Sequence, residues 1–227
     1  MDNTFLSSYG SLSQEVDQNR VERVERDYTW SRSLGLAVKR FADIVFALVA
    51  IAIFFIPCVF IAIAIWLEDR HNPIFRQERI GYRGRPFMLY KFRSMRTDAE
   101  KDNHPELCQD KDDRCTRIGT FIRSHHLDEF PQLWNVLKGE MSFVGYRPER
   151  RFFIDQIMEH NADYERLYAL RPGLFSEATL YNGYTDTIEK MLIRLDMDLD
   201  YLDNRSLMLD IKIITKTALS IICGKKF

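Results

Sequence analysis

An uninterrupted apolar segment constrains this chain more than any other feature. Residues 44 to 67, IVFALVAIAIFFIPCVFIAIAIWL, are 24 positions without a single charge. A helix of about 20 apolar residues is long enough to cross the hydrocarbon core of a bilayer. A cleaved signal peptide would be shorter and closer to the N-terminus, whereas this segment follows some forty polar-rich residues. The sequence therefore predicts a retained membrane helix.

The basic residues on both sides of this segment leave its topology open. Six Lys or Arg residues lie between 20 and 40, and eight lie between 70 and 96. Flanks rich in Lys and Arg tend to lie on the cytoplasmic side of a membrane. Both flanks follow this preference if both ends of the segment lie on that side. Pro57 removes a backbone hydrogen bond near the middle, which favours a re-entrant helix broken at Pro57. A single kinked span is the alternative, since membrane helices tolerate proline.

The sequence predicts an α+β, mostly helical fold in three parts. These are a polar N-terminal extension (1–38), the membrane helix (39–70) and a third domain (71–227). In residues 73–97, β-favouring residues flank the turn-like YRGR, which indicates a small β-hairpin. Residues 116–160 and 186–223 have mainly helical patterns. The last helix is amphipathic, so it either lies in the membrane interface or packs on the core.

Charge is sorted along the chain. Residues 70–96 carry eight Lys or Arg against one acid, whereas 98–113 carry seven acids against two Lys. A basic surface next to a membrane suits anionic lipid headgroups or the phosphates of a substrate. No recognised nucleic-acid-binding motif accompanies it, so nucleic acid is not an expected partner. The four cysteines lack zinc-ligand spacing and suit a reducing, cytosolic setting.

Two adjacent carboxylates, Asp128 and Glu129, precede an apolar-periodic stretch in HLDEFPQLWNVL. Pro131 fits only the first turn of a helix, so we predict that the helix begins at Asp128 or Glu129. Its inward-facing residues would be Leu133, Trp134, Val136 and Leu137. Acids at a helix N-terminus are ordinary caps, but the same position also attracts phosphate. Both interpretations of the pair stay open on this evidence.

Several ordered motifs resemble a known family from Lys39 to the C-terminus, over four-fifths of the chain. They are KRFADIVFALV, FRQERIGYRGRPFMLYKFRSM, TRIGTFIRSHHLDEFPQLWNVLKGEMSFVGYRPE, RPG and DLDYLDNRSLMLDIKIITKTAL. In this order they resemble the bacterial sugar transferases, which are monotopic polyprenyl-phosphate phosphoglycosyl transferases. The chain is similar to the small catalytic-unit type with a short extension.

The resemblance implies a two-step transfer on the cytoplasmic face of the bacterial inner membrane. Asp128 would attack the β-phosphorus of a UDP-sugar, release UMP and form a covalent phosphosugar-enzyme. Undecaprenyl phosphate would then accept the phosphosugar, which starts a surface polysaccharide or other glycoconjugate. The family requires Mg2+, which Asp128 and Glu129 would bind. Membrane lipids are expected partners, and a homo-oligomer is compatible with the sequence.

The resemblance also implies roles for residues around the pair. Glu129 would place the acceptor or the metal, or assist proton movement. Arg147, in GYRPE, would bind phosphate or uridine. Lys91 and Arg93 would neutralise the diphosphate, and Arg117 and Arg123 are further substrate-binding candidates. For each arginine the alternative is an ordinary ion pair.

Three departures from the family pattern accompany the matches. Ile56-Pro57 stands where the family has Ser-Pro, and GYRP stands where it has GPRP. After RPG the chain reads LFSEATLYNGYTD, with Tyr184 in place of the family's arginine. We expect this stretch, including Tyr184, to influence the choice of sugar. Two other functions stay open: a membrane-anchored scaffold without catalysis, and a glycosyltransferase that releases UDP.

Overall fold

The computed structural model describes residues 30–99, 112–182 and 185–222. Most of the N-terminal extension, most of the acidic loop and Tyr184 lie outside these residues. The described chain is α+β and mostly helical, so the predicted fold class is confirmed. The division into three domains stays a prediction.

The first described element is a long helix, α1 (Trp30–Asp69), which begins within the predicted extension. Pro57 lies inside α1 and does not end it, so the re-entrant arrangement stays a prediction. In the described part of the chain, Gly35–Asp69 is the one stretch long and apolar enough to cross a membrane by length and composition. Its most apolar window has a mean hydropathy of 3.1 and is only 6% buried, unlike a core helix of a soluble protein.

The predicted hairpin is confirmed. Strands β1 (Ile74–Ile80) and β2 (Pro86–Phe92) pair in antiparallel register, with Phe75 opposite Lys91 and Ile80 opposite Pro86. A single 3-10 turn, Tyr82–Gly84, joins them. Arg83 and Gly84 both adopt left-handed backbone angles there, with φ of 58° and 66°. After the turn, β2 runs antiparallel to β1, and Lys91 is the second-last residue of β2.

The remaining elements are six helices and a second pair of strands in the described residues. They are α2 (Arg117–Ser124), α3 (Gln132–Lys138), β3 (Ser142–Val144), α4 (Arg151–His160), β4 (Gly173–Phe175), α5 (Glu177–Asn182), α6 (Ile188–Asn204) and α7 (Leu207–Ile222), with 3-10 segments at Leu127–Glu129 and Ala162–Ala169. The parallel pairing of β3 with β4 was not predicted, because each strand has only three residues. Such strands are too short to show an alternating pattern.

Both halves of α1 pack against elements that follow it in the chain. In the first half, Ala47 is fully buried beside Phe87 of β2 and Val136 of α3. In the second half, Ile65 is buried beside Ile122 of α2. The opposite face of α1 exposes large apolar side chains, namely Phe41, Phe46, Ile53, Phe55, Ile56, Phe60, Ile63 and Leu67. One face of α1 is therefore part of the protein core, and the other suits an apolar surrounding.

The C-terminal helix α7 divides its surface in the same way. Ile213 and Thr217 are buried, and so is Asp210, which accepts hydrogen bonds from Tyr201 and from Lys39 of α1 at 2.6 Å each. Packing on the core, one of the two alternatives for this helix, is therefore confirmed for one face. The opposite face exposes the apolar residues Met208, Ile211 and Leu219.

In the described residues, the largest cluster of buried apolar residues lies among β3, α4, the 3-10 segment Ala162–Ala169, α6 and α7. It includes Val144, Tyr146, Ile154, Leu167, Tyr168, Leu195, Leu202 and Ile213. Smaller clusters attach α1 to the hairpin, α2 and α3. The loop that connects α2 with α3 is thus supported by α1 and by the hairpin.

Gly119 sits where α2 crosses the backbone of Ser94 at close range. A Cβ at residue 119 would lie 1.9 Å from the Ser94 carbonyl oxygen, a backbone atom that cannot move aside alone. We expect Gly119→Ala to lower the free energy of unfolding by about 1–3 kcal/mol or more. Gly35→Ala is the matched control, because nothing lies within 4 Å of a Cβ there. Thermal unfolding in detergent measures both, and equal midpoints for the two variants would contradict the prediction.

Candidate active site

The Asp128–Glu129 pair lies in the 3-10 turn Leu127–Glu129, between α2 and α3. His126, before the turn, has a left-handed backbone with φ of 55°. The prediction that the next helix begins at Asp128 or Glu129 is wrong, because α3 begins at Gln132. Pro131 is the residue before α3, and no side-chain cap is made there. The pair therefore does not serve as the side-chain cap of α3.

The inward face of α3 differs from the prediction at one residue. Leu133 and Val136 are buried and Leu137 is partly buried, whereas Trp134 is 56% exposed. The buried face of the helix consists of Gln132, Leu133, Asn135 and Val136, and Trp134 lies outside it. Asn135 takes a fully buried place instead.

Glu129 is held by two cations from separate elements. The Lys91 Nζ donates to Glu129 Oε1 at 2.8 Å from the end of β2. Arg147, three residues after β3, directs Nη1 and Nη2 at the same oxygen, each at 3.4 Å. Lys91 Nζ also lies 3.9 Å from Asp128 Oδ2. The turn, the hairpin and the segment after β3 thus meet at one cluster of charge.

The two carboxylates have opposite pKa shifts. Burial raises the pKa of Asp128 to about 6, against the opposing charge of Lys91. Burial acts in the same direction on Glu129, but Lys91 and Arg147 outweigh it and lower the pKa of that carboxyl to about 2. Pairs of titratable groups with pKa values pushed apart are typical of functional sites. Near neutral pH Asp128 is mainly an anion with raised proton affinity, beside a fixed anion at Glu129.

Asn135 connects α3 with β2 and so fixes the strand that carries Lys91. Its Oδ1 accepts from the Tyr90 backbone N–H at 3.1 Å, and its Nδ2 donates to the Met88 carbonyl at 2.7 Å. Asn135 is not among the site residues predicted from the sequence. The available signal was an amide in the middle of the apolar stretch LWNVL, at a position where a buried side chain needs hydrogen-bond partners.

The other predicted site residues differ in how close they lie to the Asp128–Glu129 pair. The charge of Arg123 acts on Asp128 and lowers the pKa of its carboxyl, so α2 contributes to the cluster. Arg93 is buried and donates to Asp69 at the end of α1 at 2.6 Å. Arg117 is exposed, and within the described residues its side chain makes no contact with the pair. Tyr184 is outside the described residues.

The Mg2+ predicted at Asp128 and Glu129 can be compared with the ligands that the described residues offer. In the described part of the chain, no three His, Cys, Asp or Glu residues are grouped to hold a metal ion. Mg2+ usually takes one or two carboxylates and completes its shell with water and substrate phosphates. Asp128 and Glu129 therefore suit an ion shared with a bound diphosphate, and do not suit an ion held by the protein alone.

Comparison with known proteins identifies the class. A sequence profile described as bacterial sugar transferase matches residues 34–224, which include most of α1 and the residues of the charge cluster around Asp128 and Glu129. The chain therefore belongs to the bacterial sugar transferase family, and the resemblance stated from the motifs is confirmed.

Three relatives illustrate this family, and their names specify two different sugars. The chain is 36% identical over 218 residues to the UDP-N-acetylgalactosamine-undecaprenyl-phosphate N-acetylgalactosaminephosphotransferase of Aeromonas hydrophila, covering 92% of this chain and 51% of that protein. It is 38% identical over 188 residues to the UDP-glucose:undecaprenyl-phosphate glucose-1-phosphate transferase of Caulobacter vibrioides, with 81% and 69% covered. It is 32% identical over 238 residues to the enzyme of that name in Xanthomonas campestris pv. campestris, with 97% and 46% covered. The chain thus spans about half the length of two of these relatives.

Proposed function

We propose that this protein transfers a sugar phosphate from a UDP-sugar to undecaprenyl phosphate through a covalent intermediate on Asp128. The observation that carries the proposal is the charge cluster in which Asp128 lies. A buried carboxylate with a raised pKa stands beside Lys91, Arg123 and Arg147, which supply positive charge for phosphate groups. Charge stabilisation of this kind usually dominates phosphoryl transfer.

In the first step, an Asp128 carboxylate oxygen attacks the β-phosphorus of the UDP-sugar. A bond forms between that oxygen and the phosphorus, and the bond from the β-phosphorus to the bridging oxygen breaks. UMP leaves with the bridging oxygen and its electron pair. Covalent catalysis of this type divides one difficult displacement into two easier ones.

In the second step, a phosphate oxygen of undecaprenyl phosphate attacks the same phosphorus. The bond to Asp128 breaks, so the carboxylate is regenerated and undecaprenyl-diphosphate sugar is the product. Lys91 and Arg147 bind the phosphate oxygens, and their contacts with Glu129 keep both cations next to the reacting carboxylate. Glu129 itself stays ionised and holds these cations in place.

Asp128 and Glu129 would also hold Mg2+ when the diphosphate binds. The ion supplies further positive charge to the phosphate oxygens.

The test is product analysis with purified protein, Mg2+, undecaprenyl phosphate and a panel of UDP-sugars. The panel includes UDP-glucose and UDP-N-acetylgalactosamine, because the relatives named above differ in these two sugars. We expect release of UMP and formation of a lipid-linked sugar diphosphate with at least one donor. Release of UDP would instead indicate a glycosyltransferase, and no turnover with any donor would favour the scaffold function.

We place the protein in the cytoplasmic membrane with its catalytic domain on the cytoplasmic face. The supporting observation is that both ends of α1 are bound to the same domain. Near its start, Arg40 donates to the Val136 and Leu137 carbonyls at 2.7 and 3.0 Å. At its end, the Glu68 carboxylate accepts from the Arg117 backbone N–H at 2.9 Å. A domain on one side of the bilayer can make both sets of contacts if α1 returns to that side.

This arrangement predicts that residues 39 and 70 are accessible from one side only. Single cysteines at Lys39 and Arg70, in a chain whose four native cysteines are replaced by serine, are labelled in sealed inverted vesicles and in sealed right-side-out vesicles with a reagent that does not cross membranes. We expect both to react from the cytoplasmic side and neither from the other. Reaction of the two positions from opposite sides would show a spanning helix and would exclude the re-entrant arrangement.

A further inference from the structure

The guanidinium of Arg79 in β1 connects the hairpin with the segment that carries Arg147. Its Nη1 donates to the Pro148 carbonyl at 3.2 Å and to Glu149 Oε2 at 2.9 Å. One residue further along β1, the Ile80 backbone N–H donates to the Glu149 carbonyl at 3.1 Å. The carbonyl groups of the two residues directly after Arg147 are therefore both bound by the end of β1.

The two residues directly before Arg147 are bound by β4. The Gly145 N–H donates to the Phe175 carbonyl at 3.1 Å, and the Tyr146 carbonyl accepts from the Gly173 N–H at 2.8 Å. Arg147 thus lies between two attached stretches of main chain, one held by β4 and the other by β1. These stretches determine where its side chain starts and in which direction it leaves.

The contact of Arg147 with Glu129 is longer than an ordinary hydrogen bond. Nη1 and Nη2 each lie 3.4 Å from Glu129 Oε1, and the side chain is 34% exposed. Lys91 approaches the same oxygen to 2.8 Å and is only 19% exposed. N–H···O bonds usually span 2.7–3.2 Å, and a long side chain has many rotamers. A fixed main chain therefore matters more for the place of the Arg147 guanidinium than for that of the Lys91 ammonium.

Both cations that meet Glu129 are connected to the same hairpin. Lys91 belongs to β2, and the segment after Arg147 is attached to β1 through Arg79 and Ile80. Pairing along the whole of β1 and β2 fixes the two strands relative to each other. The spacing of the two cations therefore depends on the hairpin as well as on Glu129.

We propose that Arg79 is a positioning residue, which holds the Arg147 guanidinium beside the Asp128–Glu129 pair through the segment that follows Arg147. This inference rests on the proposed function, because it assigns Arg79 to the same transfer reaction. Arg79 acts on that reaction through Arg147, whose guanidinium then meets the phosphate oxygens of the UDP-sugar with its direction already set. Orientation of this kind accelerates a reaction without any new contact to the substrate.

Arg79 can be replaced without leaving a buried charge alone, because Glu149 has a second cation. Arg194 Nη1 donates to Glu149 Oε1 at 2.8 Å. Methionine has a long side chain without any hydrogen-bond donor. Arg79→Met therefore removes the attachment at the Pro148 carbonyl, while Glu149 keeps one partner. Arg194→Met is the matched control, since it removes the other partner of the same carboxylate and leaves both bonds from Arg79 in place.

The experiment is a double-mutant cycle between residues 79 and 147, read as UMP release at saturating UDP-sugar. We expect Arg79→Met to lower the rate by about tenfold or more, since small misplacements of a positioned group have effects of this size. In an Arg147→Ala background, Arg79→Met should have little further effect, because the group that it positions is gone. Fully multiplicative effects of the two substitutions would overturn the inference.

The control Arg194→Met separates stability from positioning. The Arg194 side chain is 8% exposed against 19% for Arg79, so its loss should lower the thermal midpoint at least as much. Its effect on the rate of folded protein should be smaller and should multiply with that of Arg147→Ala. An equal or larger loss of rate in Arg194→Met would show that the charge balance of Glu149 matters and would overturn the inference. A wild-type protein without UMP release would instead overturn the proposed function.

Arg79→Lys and hydrogen exchange keep the inference testable if Arg79→Met does not fold. Lysine keeps a cation for Glu149 but lacks the rigid, planar guanidinium. We expect its rate to fall by about threefold or more, and this loss should also disappear in the Arg147→Ala background. In the wild-type protein the Ile80 amide should be protected from exchange, because it donates to the Glu149 carbonyl. A freely exchanging Ile80 amide would remove the attachment on which the inference depends.

Discussion

We expect Asp128→Asn to fold and associate with membranes like the wild-type protein, and to lose UMP release by roughly 10³-fold or more. The substitution keeps the size of the side chain and removes the nucleophilic oxygen anion. The pair makes no side-chain cap for α3, so loss of a cap cannot explain a loss of activity. The measurement uses a UDP-sugar labelled in the sugar, with UMP release and covalent label on the protein scored together.

Asp163→Asn is the control for this substitution. Asp163 is an exposed aspartate in the first turn of the 3-10 segment Ala162–Ala169, outside the charge cluster, and its change should leave activity intact. Near wild-type UMP release by Asp128→Asn would refute the covalent mechanism. Covalent label that persists in Asp128→Asn would show that another residue is the nucleophile.

Lys91→Gln should cause the second large loss, about 10²- to 10³-fold in the rate of UMP release. Lys91 is the cation nearest to Glu129 and also lies 3.9 Å from Asp128. Without it, two buried neighbouring carboxylates lose their main counter-charge. The pKa of Asp128 would rise further, because Lys91 is the strongest influence that lowers it, and the nucleophile would be more often protonated.

Lys138→Gln is the matched control for Lys91→Gln. Lys138 pairs with Glu140 at 2.7 Å, and its side chain is 39% exposed at the surface. Surface ion pairs contribute only about 0–1 kcal/mol, so this variant should be active and stable. The comparison is made on the rate at saturating donor, with thermal unfolding to verify that both proteins are folded. Equal rates for the two variants would show that Lys91 has no role in the reaction.

Local sequence patterns were sufficient to predict the hairpin and the stretch of chain that carries the Asp128–Glu129 pair. YRGR supplies a turn between two β-favouring stretches, and such a turn needs no distant contact to form. The elements that were missed depend on distant contacts. β3 and β4 pair across some thirty residues, and close contact is possible because residues 145 and 173 are glycines.

The partners of the basic residues Lys91 and Arg93 could not be predicted from the sequence. Lys91 and Arg93 are two residues apart on one strand end, and both were expected near the diphosphate. Lys91 contacts Glu129, but Arg93 binds Asp69 in α1. The neighbouring residues in YKFRSM include no acid, so packing in three dimensions determines which acid each basic side chain meets. The same holds for Glu149, whose partners come from β1 and α6.

The helix α1 cannot be treated as an anchor that could be exchanged for another. Ala47 and Ile65 on its inner face are core residues, and Asp69 neutralises the buried Arg93 next to the strand that carries Lys91. A generic apolar helix would retain the protein at a membrane but would leave these partners without their contacts. The proposed membrane attachment and the geometry of the charge cluster would thus depend on the same forty residues, and a fragment without them would be expected to lack an ordered site.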